Sequence, residues 1–496
     1  MRRLSHRGPD AEGIHVGRGG VLGHRRLSIM DPAGGDQPIL SEDRLRAVVA
    51  NGEIYNYPDL HGPLEAGGHV LATGNDSEAA LHLYEDLAGA TAERLDGMFA
   101  FAISDGEDLY VARDALGIKP LYVGRDGADL VFASELKALA DLADDVREFP
   151  PGSWYHTRLG LRRFRELPDR EPLELPVEEH CGRIRRTLER AVVKRLMSDV
   201  PVGAFLSGGL DSSLIAAIAR RHVRQLHTFS VGIEGSRDLA AARVVSRHLD
   251  TVHHEYAFTV EEVRQHLPEI IYHLESFDQD LVRSAIPCYY TSRLACDHVK
   301  VILTGEGADE LFAGYTYYRE MAGGASLHRE LRRSVASLHN INLQRVDRLT
   351  MAHAIEGRVP FLDLEMIEVA QAVPPSLKLR RGPDGQQVEK WILRKACEGL
   401  LPAEILWRPK EQFDEGSGTV DVLSRALEAF GPPSSDPQSG CPEGIRIRSA
   451  EERAYYDLLI GAYEKPAMVV GNVARWSFRG GDLDEPAAHP CFEGMR

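Results

Sequence analysis

Cysteine is scarce in this chain of 496 residues, which has six, all widely spaced and none in a Cys-x-x-Cys pair. That pattern is typical of reduced thiols in a cytoplasm and excludes a cysteine-based zinc site. Twenty histidines are present, including the neighbours His253 and His254 and a His-Arg-Gly-Pro-Asp sequence at His6. Neither group has a His-Glu-x-x-His spacing, so structural or surface roles are favoured over metal binding.

Long apolar runs and excess positive charge are also missing. No stretch of about eighteen apolar residues occurs, and no apolar segment follows the first two arginines, so we expect no membrane span and no secretory signal. The formal charge of −17 argues against a nucleic-acid partner or an anionic membrane surface, since these need clustered positive charge. We therefore expect a cytoplasmic protein that meets anionic small molecules with a few local lysines and arginines.

The length indicates two or three domains, and the 43% hydrophobic and 27% charged composition is that of an ordinary enzyme. Short apolar runs with turn residues between them predict a mainly antiparallel α+β domain over 1–165. It contains a helix near 77–88 with Asp76 in a cap position. Prolines and glutamates over 166–179 predict a linker.

Helices alternate with apolar runs from residue 180 to about 480, and residues 481–496 are left as a tail. We expect a helix over 184–198, a strand ending at Leu206 and a strand near 299–304. This alternation predicts a parallel sheet with crossover helices, and ligands bind such sheets at the carboxyl ends of the strands.

A glycine-rich loop, Ser-Gly-Gly-Leu-Asp-Ser-Ser at 207–213, lies between the strand ending at Leu206 and a helix expected over 212–221. Glycines let the backbone approach an anion, and the N–H groups of a first helical turn lack intrahelical partners. The loop has no Gly-Lys-Ser/Thr ending, so cleavage between β- and γ-phosphates is not the expected chemistry. A tight turn alone is the simpler alternative, and the hydroxyls and carboxylate in register favour a phosphate site.

A second acidic turn, Thr-Gly-Glu-Gly-Ala-Asp-Glu at 304–310, follows the next predicted strand. Acidic turns often serve only as helix caps. If the two strands are neighbours, however, Asp211 and Asp309 meet in one crevice and can hold Mg²⁺ against a pyrophosphate.

The sequence resembles the glutamine-dependent asparagine synthetases from about residue 4 to about 480. The blocks that carry the resemblance agree in order and spacing, and they span residues 207–213, 303–315, 351–363, 393–396, 401–402 and 408–413.

The resemblance implies a parallel-sheet ATP pyrophosphatase domain that activates aspartate as β-aspartyl-AMP, releases pyrophosphate and transfers ammonia. Glu306 would assist formation or capture of the adenylate, and a carboxylate there can accept the proton that ammonium loses. Asp211 and Asp309 would hold Mg²⁺, and Lys410 would meet the departing phosphates. The implied ATP and pyrophosphate positions are Phe205, Leu206, Ser207, Gly208, Gly209, Asp211, Ser212, Val231, Thr304, Gly305, Asp309 and Lys410.

The N-terminal domain resembles the glutaminase domain of that family, an Ntn-hydrolase α/β/β/α sandwich of the class II glutamine amidotransferases. An arginine would pair the glutamine α-carboxylate, two acids would meet its α-ammonium, and an Asn-Gly pair can supply an oxyanion hole. The implied glutamine-binding positions are Arg26, Asn51, Gly52, Glu53 and Asp76. We also expect structural roles for two of these positions, a hairpin turn at Asn51-Gly52 and a helix cap at Asp76, which do not by themselves explain the set.

The nucleophile of that glutaminase domain is missing from this sequence. In the family a cysteine follows the initiator Met, whereas here Arg2 follows Met1 and the first cysteine is Cys181. The His-Arg-Gly-Pro-Asp sequence at His6 also lies about twenty-five residues earlier than in the family, so the first strand and most of the first helix are missing. A start site assigned too far downstream and a genuine truncation that leaves ammonia as the only nitrogen source both fit.

Three functions stay open at this level. The first is synthesis of asparagine from aspartate, ATP and glutamine or ammonia. These small molecules would be its partners, and a homodimer is compatible with this function. The second is a relative that closes a β-lactam or macrolactam ring, and the third is an inactive regulatory homologue. Glu356 and Arg358 fit a substrate role and a structural role equally.

Overall fold

The computed structural model of the protein describes residues 1–321, 324–382, 385–411, 413–427, 437–442 and 444–476. The predicted tail at 481–496 lies outside the described residues, as does Gln412 of the 408–413 block. Within the described ranges, every helix is too short or too polar to cross a membrane.

The strands of the described residues are β1 (Ala11–Val16), β2 (Val21–Arg26), β3 (Ile39–Leu40), β4 (Arg46–Ile54), β5 (Gly97–Asp105), β6 (Asp108–Arg113), β7 (Tyr122–Asp126), β8 (Asp129–Ala133), β9 (Asp144–Glu148), β10 (Ser153–His156), β11 (Gly160–Arg163), β12 (Val202–Phe205), β13 (His227–Gly232), β14 (Val252–Ala257), β15 (Val301–Leu303), β16 (Glu356–Arg358), β17 (Arg380–Arg381) and β18 (Gln387–Val388).

The α-helices of the described residues are α1 (Tyr57–Gly67), α2 (Glu78–Leu87), α3 (Val177–Lys194), α4 (Leu210–Arg220), α5 (Arg237–Leu249), α6 (Val260–Leu274), α7 (Gln279–Ala295), α8 (Ala308–Phe312), α9 (Gly324–Ala336), α10 (Asn342–Met351), α11 (Leu364–Gln371), α12 (Pro375–Lys378), α13 (Trp391–Ala396), α14 (Ala403–Leu406), α15 (Phe413–Gly416), α16 (Thr419–Leu427), α17 (Ala450–Gly461) and α18 (Pro466–Val470). Short 3₁₀ turns lie at Arg2–Leu4, Ala88–Arg94, Leu136–Ala138, Thr316–Glu320, Leu338–Asn340 and Pro360–Leu362.

Two antiparallel sheets stack in the N-terminal half. One has the order β11-β10-β6-β5-β4-β3 and the other the order β8-β7-β9. Alternation along the strands explains the stacking: Phe99 and Phe101 on β5 pack towards the helices α1 and α2, whereas Ala100 packs towards β7. The outer face of the second sheet packs on α6 and α7. The predicted antiparallel sandwich is confirmed.

The C-terminal half contains a five-stranded parallel sheet with the order β14-β13-β12-β15-β16. The chain builds outwards from β12 to β13 and β14, then returns to the other side of β12 with β15. This reversal is a topological switch point, where parallel sheets open a crevice at the carboxyl ends of their strands. The expectation that the two strands before the acidic turns are neighbours is confirmed by the pairing of β12 with β15.

Two predicted helix starts are wrong. α3 begins at Val177 rather than 184 and so extends into the predicted linker, because Glu178 and Glu179 in its first turn suit the positive end of the helix dipole. α4 begins at Leu210 rather than 212, directly after Gly209. Residues 164–176 form neither helix nor strand. The domain bounds 1–165 and 180–480 stay a prediction.

Buried charges join the two halves of the molecule. Arg7 donates to Glu135 at 2.8 Å and to Asp347 on α10 at 2.6 Å. Arg348, the next residue of α10, has no exposed surface; it donates to the Ser134 carbonyl of the N-terminal half at 2.8 Å and pairs with Glu275 at 2.9 Å. Buried charges are tolerated only when they are paired, so this set makes the relative position of the halves specific.

We expect Arg348→Leu to lower the free energy of unfolding by about 3 kcal/mol, because it removes one of the two buried cations paired with Glu275 and the hydrogen bond to the Ser134 carbonyl. Arg183→Leu is the control, since Arg183 pairs with Glu179 on the exposed face of α3 and its loss should cost at most about 1 kcal/mol. Urea unfolding followed by fluorescence measures both, and equal losses would contradict the clamping role of Arg348.

Candidate active site

A cavity of about 190 Å³ opens at the carboxyl ends of β12 and β15. Its walls come from the 205–212 loop, the 304–309 turn and the segment around Lys410. Of the residues predicted for ATP, pyrophosphate and catalysis, those that line it are Phe205, Leu206, Ser207, Gly209, Asp211, Ser212, Val231, Thr304, Gly305, Glu306, Asp309 and Lys410. The structure thus brings together in one pocket residues that are far apart in the chain.

Gly208 supports the loop from behind the cavity. Its φ of +72° is left-handed, and a Cβ there would lie 2.5 Å from the Ala242 backbone nitrogen on α5, so only glycine fits. The Ser207 and Ser212 hydroxyls are 3.1 Å apart and hold the loop closed across the start of α4. The first N–H groups of α4 consequently face the cavity at the end of a helix, which is an arrangement that suits an anion.

The two predicted acids meet across a lysine that sequence reasoning missed. The Nζ of Lys390 lies 2.5 Å from Asp211 Oδ2 and 2.7 Å from Asp309 Oδ1, and the Nζ of Lys410 lies 2.9 Å from Asp309 Oδ2. Burial by itself raises the pKa of Asp309, but the two ammonium groups outweigh it and hold that pKa below its ordinary range. The cavity therefore combines two carboxylates with two cations.

Lys390 has a strained backbone conformation of the kind that is often found at functional sites. Its φ of +53° is left-handed, which is costly for a residue with a side chain, and its side chain is almost fully buried. It lies just before α13, next to the 393–396 block of the sequence, but it follows no strand of the parallel sheet. A motif search at strand ends could not find it for that reason.

Glu306 forms an ion pair with Arg345, a second residue that sequence reasoning missed. Arg345 is buried on α10 and lines the same cavity. In the sequence it looks like any polar position of an amphipathic helix. The pairing holds the Glu306 carboxylate in place beside Thr304 and Gly305, where a reacting group in the cavity can reach it.

A second cavity, of about 110 Å³, lies in the N-terminal half. All five predicted glutamine positions line it, namely Arg26, Asn51, Gly52, Glu53 and Asp76. A Cβ on Gly52 would lie 1.9 Å from the Met98 carbonyl oxygen, so glycine is required there. Among the described residues, Asn51 Nδ2 and Glu53 Oε2 are buried without a hydrogen-bond partner, so a polar ligand in this cavity could bond to them.

The helix cap expected at Asp76 is wrong, since Ser77 occupies the N-cap position of α2. The Asp76 carboxylate instead accepts the backbone N–H of Ile54 at 2.5 Å. Burial raises its pKa to about 7, and the nearby Glu356 carboxylate contributes. Arg26 donates to Asp36 at 2.7 Å and to the Asp31 carbonyl at 2.7 Å.

Arg358 connects the two cavities. Its guanidinium lies 3.0 Å from Glu53 Oε1 and 2.9 Å from Glu356 Oε1, and it is fully buried. Its backbone carbonyl accepts the N–H of Thr304, which lines the larger cavity. These contacts favour the structural role for Arg358 over direct contact with a substrate.

Comparison with known proteins agrees with this geometry. The family model described as asparagine synthase matches residues 183–325 and 319–430, and the model described as glutamine amidotransferase domain matches residues 1–154. The chain belongs to the asparagine synthase family. The resemblance inferred from the sequence blocks is confirmed.

Curated relatives share the match over most of the chain. The chain is 43% identical to "Asparagine synthetase [glutamine-hydrolyzing] 2" of Arabidopsis thaliana over 84% of this chain and 75% of that protein. It is 43% identical to "Asparagine synthetase [glutamine-hydrolyzing]" of Triphysaria versicolor, over 84% of this chain and 74% of that protein. A protein of the same name from Zea mays is 42% identical over 84% of this chain and 74% of that protein.

We expect Asp76→Asn to change how stability depends on pH. The native carboxyl titrates near pH 7 and an unfolded aspartate near 3.9, so between these values the native state binds more protons and wild-type stability falls as pH rises. Asparagine carries no charge, so between pH 5 and pH 8 the variant should gain about 2 to 3 kcal/mol relative to the wild type.

Denaturant unfolding at pH 5, 6, 7 and 8 measures this difference. Asp59→Asn is the control, because Asp59 is an exposed residue of α1 and its variant should follow the wild type. Parallel wild-type and Asp76→Asn profiles would show that burial does not shift this carboxyl.

Proposed function

We propose that this protein makes L-asparagine from L-aspartate in an ATP-dependent reaction that passes through β-aspartyl-AMP and releases AMP and pyrophosphate. The observation that carries the proposal is the cluster of Asp211, Asp309, Lys390 and Lys410 beside Glu306 in one cavity at the switch point of a parallel sheet. The relatives named asparagine synthetase support the same reaction. None of the three relatives described above is named as a lactam-forming cyclase.

The nucleotide would lie with its adenosine among Phe205, Leu206, Val231, Thr304 and Gly305. These residues offer apolar surface and backbone polar groups, which suit a purine. The 207–212 loop would take the phosphates through the N–H groups at the start of α4. Because the chain as a whole carries a charge of −17, the cations Lys390 and Lys410 supply the local attraction for a polyanion.

Asp211 and Asp309 would hold Mg²⁺. The residues present fit the ion: both are carboxylates, and among the described residues Asp211 Oδ1 is buried without a hydrogen-bond partner. Mg²⁺ at this position would supply charge neutralisation to a pyrophosphate leaving group. In the structure the ammonium of Lys390 neutralises the same two carboxylates. Binding of MgATP would release Lys390 towards the phosphates.

Glu306 would act beside the β-carboxyl carbon of aspartate, where nitrogen attacks. Attack of the aspartate β-carboxylate on the α-phosphate forms the adenylate, and nitrogen then displaces AMP. Ammonium must lose a proton before it attacks, and a carboxylate within reach can accept it. Arg345 orients Glu306 through their ion pair.

The nitrogen would come from glutamine or from ammonia. Arg26, Asn51, Gly52, Glu53 and Asp76 surround a polar cavity of a size and charge that suit an amino acid. Residues 1–180 of this sequence contain no cysteine, so ammonium is the donor that tests the synthetase half by itself. We further propose a cytoplasmic protein, since the five described cysteines form no disulfide. A homodimer stays a prediction.

The proposed reaction predicts equal amounts of asparagine, AMP and pyrophosphate from aspartate, ammonium and MgATP. Phosphorus NMR separates AMP and pyrophosphate from ADP and phosphate, and amino-acid analysis measures asparagine. Asp211→Asn removes one proposed Mg²⁺ ligand and should abolish the three products together. ADP formation, or no product from the wild type, would refute the proposal.

Glu306→Gln should lower kcat by about 10² or more while folding is kept, because the amide cannot accept a proton. Glu261→Gln is the matched control, since Glu261 is exposed on α6 and pairs with Arg264 in the same turn. Steady-state kinetics with ammonium measures both variants. A Glu306→Gln variant with wild-type kcat would remove this residue from the mechanism.

A further inference from the structure

Two histidines and two glutamates converge on one point of the N-terminal half, away from both cavities described above. Glu42 lies in the turn between β3 and β4, His69 follows α1, and His82 and Glu85 lie one turn apart on α2. One ligand atom from each of the four residues can be chosen so that all lie within 4.8 Å of one another. Three separate segments of the chain therefore supply this group.

The spacing of these atoms suits a small divalent cation. His82 Nδ1 and His69 Nδ1 lie 3.0 Å and 3.3 Å from Glu85 Oε2, and each lies 3.6 Å from Glu42 Oε1. Zinc–nitrogen and zinc–oxygen bonds are about 2.0 to 2.2 Å long, so the ligands of a tetrahedral ion are about 3.3 Å apart. The four observed separations bracket that value.

Both imidazoles are oriented by a carboxylate on their far side. His82 Nε2 faces Glu78 at 3.4 Å, and His69 Nε2 faces Asp86 at 3.2 Å. A histidine that binds a metal usually donates its other ring N–H to a carboxylate in this way, which leaves the first nitrogen as the free electron pair. The arrangement turns the two Nδ1 atoms towards the shared centre.

The two glutamates are held as well. Glu42 Oε1 accepts the backbone N–H of Val70 at 2.7 Å, and Glu85 Oε1 accepts from Arg46 Nη1 at 3.2 Å. The second oxygen of Glu85 faces the histidines. Each of the four candidate ligands thus has a separate partner that fixes its direction, which is how protein metal sites are preorganised.

Burial gives the group a closed side and an open side. The His82 side chain has no exposed surface, whereas Glu42 keeps 33% of its side chain exposed. An ion can therefore reach the group from solvent on the side of Glu42, while His82 closes the opposite, buried side. Two glutamate charges balance a dication when both histidines are neutral, so binding leaves no net charge in the partly buried site.

We propose that Glu42, His69, His82 and Glu85 bind one Zn²⁺ ion in a tetrahedral site with a structural role. All four positions are protein side chains, as in structural rather than catalytic zinc sites. The ion would fasten α2 to the β3–β4 turn and to the segment after α1. α2 starts two residues after Asp76, so the ion stabilises the wall of the smaller cavity and acts independently of the proposed synthetase reaction.

A second group of histidines could also bind metal, so an experiment must distinguish it from the first group. His227, His254 and His298 lie together near the amino ends of β13 and β14, with His227 Nδ1 3.0 Å from His254 Nε2. That group has no carboxylate among its candidate ligands. Variants confined to the first group leave it intact, so metal bound by these three histidines contributes equally to every sample.

The test uses the full chain after treatment with a chelator. Zn²⁺ is added back, excess is removed, and metal per chain is measured by mass spectrometry, with affinity from competition against a chromophoric chelator. Co²⁺ serves as a spectroscopic probe, because a tetrahedral site gives strong visible absorption. The variants are Glu42→Gln and His69→Asn, singly and together, and both positions are at least partly exposed. His61→Asn is the control, since His61 pairs with Glu65 on the surface of α1.

We expect the wild type and His61→Asn to hold one more Zn²⁺ per chain than the double variant, and to show the Co²⁺ absorption that the double variant lacks. Added Zn²⁺ should raise the unfolding temperatures of the wild type and of His61→Asn, but not that of the double variant. Asp86→Asn keeps all four ligands and removes one orienting carboxylate, so its Kd should rise about tenfold. Equal metal content in the wild type and the double variant would overturn the proposal and leave the group as a hydrogen-bonded histidine cluster.

Discussion

The parallel pairing of β12 with β15 is the constraint on which the larger cavity depends. These strands are separated by about a hundred residues of chain, yet their register aligns Ala204 with Leu303, so the two acidic turns emerge side by side. Parallel strands end at one edge of a sheet, and the chain reversal at this pair leaves a gap between the helices above it. The meeting of Asp211 with Asp309 follows from backbone hydrogen bonding rather than from any attraction between two carboxylates, which repel each other.

The two carboxylates that the strand pairing brings together are balanced by two lysines. Two carboxylates in a partly buried cavity are unfavourable unless cations accompany them, and Lys390 and Lys410 supply these. In the proposed reaction the same lysines would meet the phosphates of the nucleotide. In that reaction Mg²⁺ would become the partner of the two carboxylates and leave Lys390 free for the phosphates.

The smaller cavity depends on the second half of the chain through Arg358. Its guanidinium contacts the Glu53 carboxyl, while its carbonyl accepts the N–H of Thr304 in the larger cavity. The two sites thus share one rigid residue on β16. Buried contacts of Arg7 with Asp347 and of Arg348 with Glu135 cross the same interface at other points, so the relative position of the two halves is specified by charges that must be matched.

The sequence by itself determined the local features: glycines with carboxylates at strand ends, the antiparallel and parallel halves, and the family through its blocks. Gly208 and Gly52 could be recognised from the motifs around them, whereas the contacts that require glycine there, with Ala242 and Met98, come only from the fold. Only the tertiary structure decided which charged side chains meet. In the sequence each of these residues resembles an ordinary polar surface residue, because its partner lies in another segment of the chain. The examples are Lys390, Arg345 and the group of Glu42, His69, His82 and Glu85. Asp76 resembled a helix cap for the same reason, since its true partner, the Ile54 N–H, is brought to it by the packing of α2 on β4. Long-range electrostatic pairing leaves no periodic trace in the chain, because it depends on which surfaces the fold buries against each other.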